Sequence, residues 1–406
     1  MKIIHINQQD SQFGAYIAAR RLHDEMHRQG HDSQLWVLSK TTAAPSVKAL
    51  FGPNPVGKIV WRLADMWNNR GLKKYPKKPV YGWAASKLSF DLARRINRAK
   101  PDLVVLHEAN CMLAHAEIAR INAPVLVVFH DLHPFTGDCH YPLECGGFAA
   151  ACGKCPQLGS DDKNDISHGG WRLKKAAWAH PRIAGVAPSR WMRDCAAASS
   201  VCHGKKIHHI PNGIPLDVFN PSLREKARAE MGFSDDCFYI LAGAASLSDT
   251  RKGFHITTDA VKILAAVNPK IKLATFGAMP PKIPGVEFMY MGFIRDEAKM
   301  AALFSACDVF VHPTAADSFG LTLAESIACG TPCVTVPVGG CVDIVRDGVT
   351  GFVARDRSPE AVAEACGKVI DLPRTDYQQL RASCRAVAEA EYGLELMAKR
   401  YLKNVG

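Results

Sequence analysis

The chain has 406 residues, too many for one hydrophobic core and enough for two domains of about 200 residues each. Its 48% hydrophobic and 22% charged residues, without a low-complexity tract, exclude a disordered or fibrous class. The net charge of +11 is uneven: residues 1–210 hold 29 Lys and Arg against 16 Asp and Glu, and the remainder 21 against 23. The first half therefore suits an anionic partner (membrane surface, lipid diphosphate or nucleic acid) or simply carries a basic, soluble surface. No apolar run reaches the roughly 18 residues needed to cross a bilayer. Met1-Lys2 leads straight into a strand rather than a leader, and the fourteen cysteines are scattered, so a reduced, cytosolic setting is expected.

In chain order, residues 2–7 read as a first strand, Ala15 to Gln29 as a helix closed by Gly30, and Leu35 to Leu38 as a second strand. Gly14 joins the first strand to the first helix. Residues 58–78 interleave Lys58, Arg62, Arg70, Lys73, Lys74, Lys77 and Lys78 with Val60, Trp61, Leu63, Trp67, Leu72 and Tyr75. That pattern suits the interface of an anionic membrane, or else a packed surface helix with a basic loop. Further strands are expected at Leu103–Leu106, Val125–Phe129, Ile183–Val186 and Ile207–Ile210. Strands alternating with helices predict a doubly wound parallel sheet. His130 closes the Val125–Phe129 strand. Cys139, Cys145, Cys152 and Cys155 then fall within seventeen residues of a Gly/Pro-rich loop. Four soft ligands favour a structural Zn²⁺, with two disulfides or four packing thiols as alternatives.

Pro211-Asn212-Gly213-Ile214-Pro215 breaks the pattern and reads as an interdomain link. A second series follows, with strands at Phe238–Leu241, Ile271–Phe276, Val286–Met289, Val309–Val311, Cys333–Val336 and Phe352-Val353, and a helix opening after Lys252-Gly253. Pro313 ends one of these strands, and Leu321 to Ala328 reads as a helix stopped by Gly330-Thr331-Pro332. The start of that helix offers N–H groups and a positive dipole end to an anion such as a phosphate. Asp317 lies before that terminus and Glu325 two turns inside it, a layout suited to the hydroxyls on either side of a sugar nucleotide's diphosphate.

This stretch resembles the signature of retaining glycosyltransferases of family 4: an acid, seven residues, then Glu. The resemblance is carried by His312-Pro313-Thr314, Phe319-Gly320-Leu321, Glu325, Ala328-Cys329-Gly330-Thr331-Pro332 and Val338-Gly339-Gly340, and covers nearly the whole chain. It implies an α/β fold of GT-B type, two doubly wound Rossmann-like domains facing across a cleft. Residues 1–210 would bind the acceptor and residues 211–391 the nucleotide-sugar donor, with the helix 392–406 crossing back. By the same resemblance Lys252 contacts the donor diphosphate, and Arg251 is a candidate second cation, because Ser246 stands where many members have Arg. Gly292, Phe293 and Ile294 would line the nucleobase, and Ser318, Phe319, Gly320, Leu321 and Thr322 would meet the phosphates. Glu325 would take the ribose, Asp317 the transferred sugar, and His130 the sugar or acceptor. Gly14 belongs to a loop where the family has two glycines, the first replaced here by Phe13. There is no Asp-x-Asp at a strand end, so no metal is expected to be needed for transfer.

Phe135-Thr136-Gly137, Cys139-His140-Tyr141 and Cys152-Gly153-Lys154-Cys155-Pro156 further resemble a subgroup that includes exopolysaccharide and colanic-acid-type transferases. That implies surface-polysaccharide synthesis on a lipid-linked acceptor at the inner face of the cytoplasmic membrane, with peripheral contact to anionic lipid and no nucleic-acid partner. Two rivals remain. A GT-B sugar-nucleotide epimerase would share the donor half, and a basic Cys-cluster nucleic-acid-binding protein would leave the acidic pair unexplained.

Overall fold

The computed structural model describes residues 1–10, 14–52, 54–88, 90–278 and 283–403, so Phe13 and the last three residues of the C-terminal element lie outside the described residues. The chain divides into two compact units, Met1–Pro211 with Met397–Gly406, and Asn212–Leu396. Among the described residues no helix is long and apolar enough to cross a membrane.

The first unit is built on seven strands: β1 (Lys2–Gln9), β2 (Asp32–Ser39), β3 (Val47–Ala49), β4 (Leu103–Leu106), β5 (Val125–Val128), β6 (Ile183–Ala187) and β7 (Ile207–His209). They pair in parallel in the order β3-β2-β1-β4-β5-β6-β7. Covering helices make β4 and β5 apolar on both faces, and all eight of their residues are buried. Ile4, Ile6, Val104, Val125, Phe129 and Trp178 belong to the core. The three residues of β3 are too few to show a period, and this strand had no sequence signal. In such a sheet the order reverses at β1, between β2 and β4, and ligands bind beyond the carboxyl ends at that point.

The second unit holds β8 (Phe238–Ser246), β9 (Ile271–Ala278), β10 (Phe288–Tyr290), β11 (Val309–His312), β12 (Cys333–Thr335) and β13 (Gly351–Val353), parallel in the order β10-β9-β8-β11-β12-β13. Successive side chains of β11 enter opposite cores. Phe310 packs with Phe276 and Phe304, while Val309 and Val311 pack with Ile240 and Val334. Here the order reverses between β8 and β11, which places the ends of these two strands at the corresponding ligand position.

Candidate active site

At the end of β8 the chain makes a short 3₁₀ turn, Thr250–Lys252, capped by Asp249. Gly253 follows with φ of +74°, and a Cβ there would stand 2.2 Å from the Pro313 carbonyl oxygen. Only glycine lets this turn lie against the exit of β11. Arg251 ties the two together: its guanidinium pairs with Asp249 at 2.9 Å and donates to the Ala316 carbonyl at 2.9 Å, while its own carbonyl accepts from Ala315 N–H at 2.6 Å. Arg251, read from the sequence as a candidate second cation, is thus built into the brace of the loop carrying Asp317. Ser246 shares a hydrogen bond with Ser248 at 2.8 Å. Arg357, which has no sequence signal, donates to the Pro313 carbonyl at 3.1 Å.

Lys252 reaches Asp317 directly, Nζ to Oδ2 at 2.6 Å. The same oxygen lies 3.3 Å from His312 Nε2. Oδ1 accepts from the N–H groups of Gly320 at 3.1 Å and Phe319 at 3.4 Å. Four donors fill the roughly four acceptor positions of a carboxylate. Burial opposes ionisation of Asp317, but the Lys252 ammonium and the His312 hydrogen bond outweigh it and hold the carboxyl well below its usual range. The Asp317 carbonyl also accepts from Gly340 N–H at 3.0 Å, and at Gly339 a Cβ would stand 2.0 Å from that oxygen.

The helix Leu321–Ala328 begins at Gly320, whose φ is +89°. The N–H groups of Leu321 and Thr322 open the helix and have no acceptor within it. Those of Phe319 and Gly320 already serve Asp317, so the expected row of phosphate donors is shorter than the sequence suggested. Ser318 and Glu325 are buried, and Glu325 projects from the same helix about one turn in. Beyond β10, Gly292 has φ of +74° and accepts from Gly277 N–H at 2.9 Å. Phe293 is exposed with the Arg295 guanidinium 5.5 Å from its ring centre, and Ile294 packs on the core.

In the first unit, helix Gly14–Arg28 opens at Gly14 as expected. His130, just past β5, begins a ring-to-ring chain: its Nε2 is 3.0 Å from His107 Nδ1, and His107 Nε2 is 3.2 Å from His5 Nδ1. Both contacts run in one sense, so fixing the proton on one neutral ring fixes the tautomer of all three. Burial pushes His130 down to about 4 and holds His107 and His5 well below the ordinary value. His5 and His107 carry no sequence signal, because β1 and β4 become neighbours only in the sheet.

Beside this chain, Asp131 accepts from His133 N–H at 2.7 Å and bonds the His140 ring. Burial disfavours the imidazolium of His140, yet the Asp131 carboxylate overrides it and raises His140 to about 9. Burial and the Asp131 charge push Glu108 upward. His107, Glu108, His130, Asp131, His133 and Trp178 line one cavity of this unit.

Two groups bear on metal binding. His115, His133 and Asp138 bring potential ligand atoms within 4.8 Å of one another. Buried Lys174 already stands 2.9 Å from Asp138 Oδ1, so the ammonium occupies the cation's place. The four loop cysteines are free thiols that line a single small cavity with Trp83 and Phe148. Burial pushes the Cys139 and Cys152 thiols up to about 12. The loop is held tightly: a Cβ on Gly137 would come within 2.7 Å of Cys152 Cβ, and Cys155 N–H donates to Asp165 at 2.9 Å.

The whole chain is similar to solved structures at low identity. HepE from Anabaena, in complex with UDP and glucose, shares 16% identity at a TM-score of 0.64, covering 100% of this chain and 99% of that one. The sucrose-phosphate synthase of Thermosynechococcus elongatus shares 17% at a TM-score of 0.68, covering 100% and 98%. These likenesses establish the fold as GT-B, with two Rossmann-like α/β units. A D-inositol 3-phosphate glycosyltransferase from Paenarthrobacter aurescens is 32% identical over 181 residues, 41% of this chain and 43% of that protein. The chain thus spans less than half the length of the curated relatives it matches. A profile described as "Glycosyl transferases group 1" matches residues 239–371, and one described as "Glycosyltransferase Family 4" matches residues 14–218, half of the chain. With the strand-end lysine, the paired acids and the parallel sheets already in place, the chain belongs to glycosyltransferase family 4.

Proposed function

We propose that this protein is a retaining hexosyltransferase that moves a sugar from a nucleoside diphosphate sugar to a hydroxyl of a lipid-linked glycan in surface-polysaccharide synthesis. The observation that carries the donor reading is the Lys252–Asp317 pair at the start of the helix bearing Glu325, at the point where the second sheet reverses order. Lys252 and the N–H groups of Leu321 and Thr322 would meet the diphosphate, Glu325 the ribose hydroxyls, and Gly292, Phe293 and Ile294 the base. Asp317, with four donors in place, acts first as a positioning residue for Lys252 and meets the transferred sugar only by giving up one of them. Arg251 positions the loop. UDP and glucose bound to HepE suit a donor of this class.

In the transfer, the bond from the anomeric carbon to the diphosphate oxygen breaks and one to the acceptor oxygen forms on the same face. The acceptor proton passes to the departing diphosphate. Charge growing on that diphosphate is met by Lys252, so the step needs no metal. On the acceptor side, His130 would bond the sugar or acceptor hydroxyls, its tautomer fixed by His107. The four cysteines would hold a structural Zn²⁺, a reading supported by the cavity they share.

The test is transfer of labelled sugar from a panel of sugar nucleotides to lipid-linked and soluble acceptors, with phosphorylated polyols included because of the inositol-phosphate relatives. Glu325→Gln should weaken donor binding about 10- to 100-fold, the worth of a hydrogen bond to a charged group. Lys252→Ala should lower turnover more than donor affinity. NMR of the product's anomeric proton reads the stereochemistry. Parental affinity and rate in both variants would defeat the donor assignment, and epimerised donor without transfer would favour the epimerase.

A further inference from the structure

The helix Asn54–Asn68 rests on β2 by one face and turns the other to water. A Cβ on Gly57 would stand 1.7 Å from the Leu38 carbonyl oxygen, so the helix backbone approaches the sheet as closely as glycine permits. Ala64 and Asn68 share this face and are buried, and the Asn68 side chain accepts from the N–H groups of Lys87 and Leu88, both at 3.1 Å. At helical spacing the opposite face carries Val56, Ile59, Leu63, Met66 and Trp67. Ile59, Leu63 and Met66 are 58%, 61% and 62% exposed. With Trp61, this one helix holds six of the fourteen large apolar side chains exposed among the described residues. Five of the six lie along the one water-facing side, unlike the scattered single apolar residues of an ordinary surface.

The charges around it are all basic but one. Lys58 and Arg62 flank the stripe, and Arg70, Lys73, Lys74, Lys77 and Lys78 follow it, all exposed. Asp65 is the single acid between residues 54 and 78, and its carboxylate accepts from Asn69 at 2.7 Å. The Arg70 guanidinium lies 3.7 Å over the Trp67 ring. A second copy of the chain docking here would set seven cations against seven, and a neutral apolar partner would leave them unanswered. Apolar stripe, tryptophan and basic rim together match the layered chemistry of a lipid surface, acyl chains below and anionic headgroups above.

We propose that the helix Asn54–Asn68 and the basic segment Arg70–Lys78 form a docking face for an anionic lipid bilayer. The helix lies in the plane of the interface, with Ile59, Leu63, Met66 and Trp67 at the acyl boundary and the basic side chains among the headgroups. This deepens the lipid-linked acceptor reading by naming the surface on which the acceptor is met, and rests on that reading only for its purpose.

Co-sedimentation of the full chain with vesicles tests it, using phosphatidylcholine alone and a mixture in which about a third is phosphatidylglycerol. The chain should sediment with the anionic vesicles, less so as salt is raised, and weakly with the neutral ones. Leu63→Glu with Met66→Glu should lower partition about 10- to 100-fold, from the lost burial of two apolar side chains. Replacing Lys73, Lys74, Lys77 and Lys78 by Gln should remove most of the salt dependence. Absence of the wild type from the anionic pellet, or partition unchanged by the double Glu variant, overturns the proposal. So does a wild-type dimer in analytical ultracentrifugation that the double Glu variant splits, because the face then belongs to a second copy. Donor binding measured without vesicles should be the same in both proteins. Its loss from the wild type would defeat the transfer reading while leaving the vesicle result standing.

Discussion

At the scale of single residues, His140 and His130 contribute to the pH dependence of the first unit with opposite signs. His140 is raised to about 9 by Asp131. A group raised on folding stabilises fully below its unfolded value, near 6.5, and that stability is lost as pH rises through the folded value. His130, at about 4, has the opposite sign: its neutral burial stabilises above about 6.5, and the contribution fades as pH falls towards the folded value. These two histidines together stabilise the first unit most near pH 6.5, with their contribution falling on both sides. His140→Gln should flatten the alkaline limb between about pH 6.5 and 9 while leaving the acid limb in place. Thermal melts followed by tryptophan fluorescence across pH check this, at roughly 2–4 °C for each kcal/mol lost in a unit of this size. An unchanged alkaline limb would mean that the Asp131–His140 pair is not the stabilising contact.

Elements explain why the sequence disclosed one half of the site better than the other. The proposed donor side is local: Lys252-Gly253 and the run from Asp317 to Glu325 each lie between a strand and a helix, so the residues that carry the family resemblance stand close together in the chain. What spacing cannot show is how the loops close on one another. Gly253 and Gly339 each accept a carbonyl at a distance no Cβ allows. Arg251 reads as a candidate second cation because Ser246 stands where many members of the family have Arg, yet its hydrogen bonds tie the loop that carries Asp317. On the proposed acceptor side the chemistry comes from β1, β4 and β5, with His5 lying 102 residues before His107, and only sheet register brings His5, His107 and His130 into line. The cysteine loop is local again, and there the sequence gives a count of ligands without a geometry. If it holds zinc, elemental analysis should find about one metal per chain. Cys152→Ser with Cys155→Ser should then remove the metal and lower the melting point of the first unit, since binding energy at such a site is folding energy. Metal-free protein with full activity would remove zinc from the account.

For the whole molecule, the cores decide how a ligand's effect spreads. Phe129 and Trp178 belong to the core of the first unit, whereas Phe276, Phe310, Val311 and Val334 belong to the two faces of the second. Lys252, Asp317 and Glu325 all stand on the second unit, at the ends of β8 and β11 and on the helix that follows. A donor held at about 100 times its dissociation constant stabilises the species that binds it by about 2.7 kcal/mol. With separate cores, that stabilisation should appear first in the unit that holds the donor. Hydrogen exchange read by mass spectrometry should then show slower exchange in peptides covering Thr250–Val267 and Val309–Ala328 on addition of a sugar nucleotide. Peptides of β4 and β5 should change much less. Glu325→Gln should shrink the effect in proportion to its lost affinity. Protection centred instead on His107 and His130, with the β8 and β11 peptides unmoved, would place the nucleotide in the first unit and reverse the assignment of donor and acceptor halves.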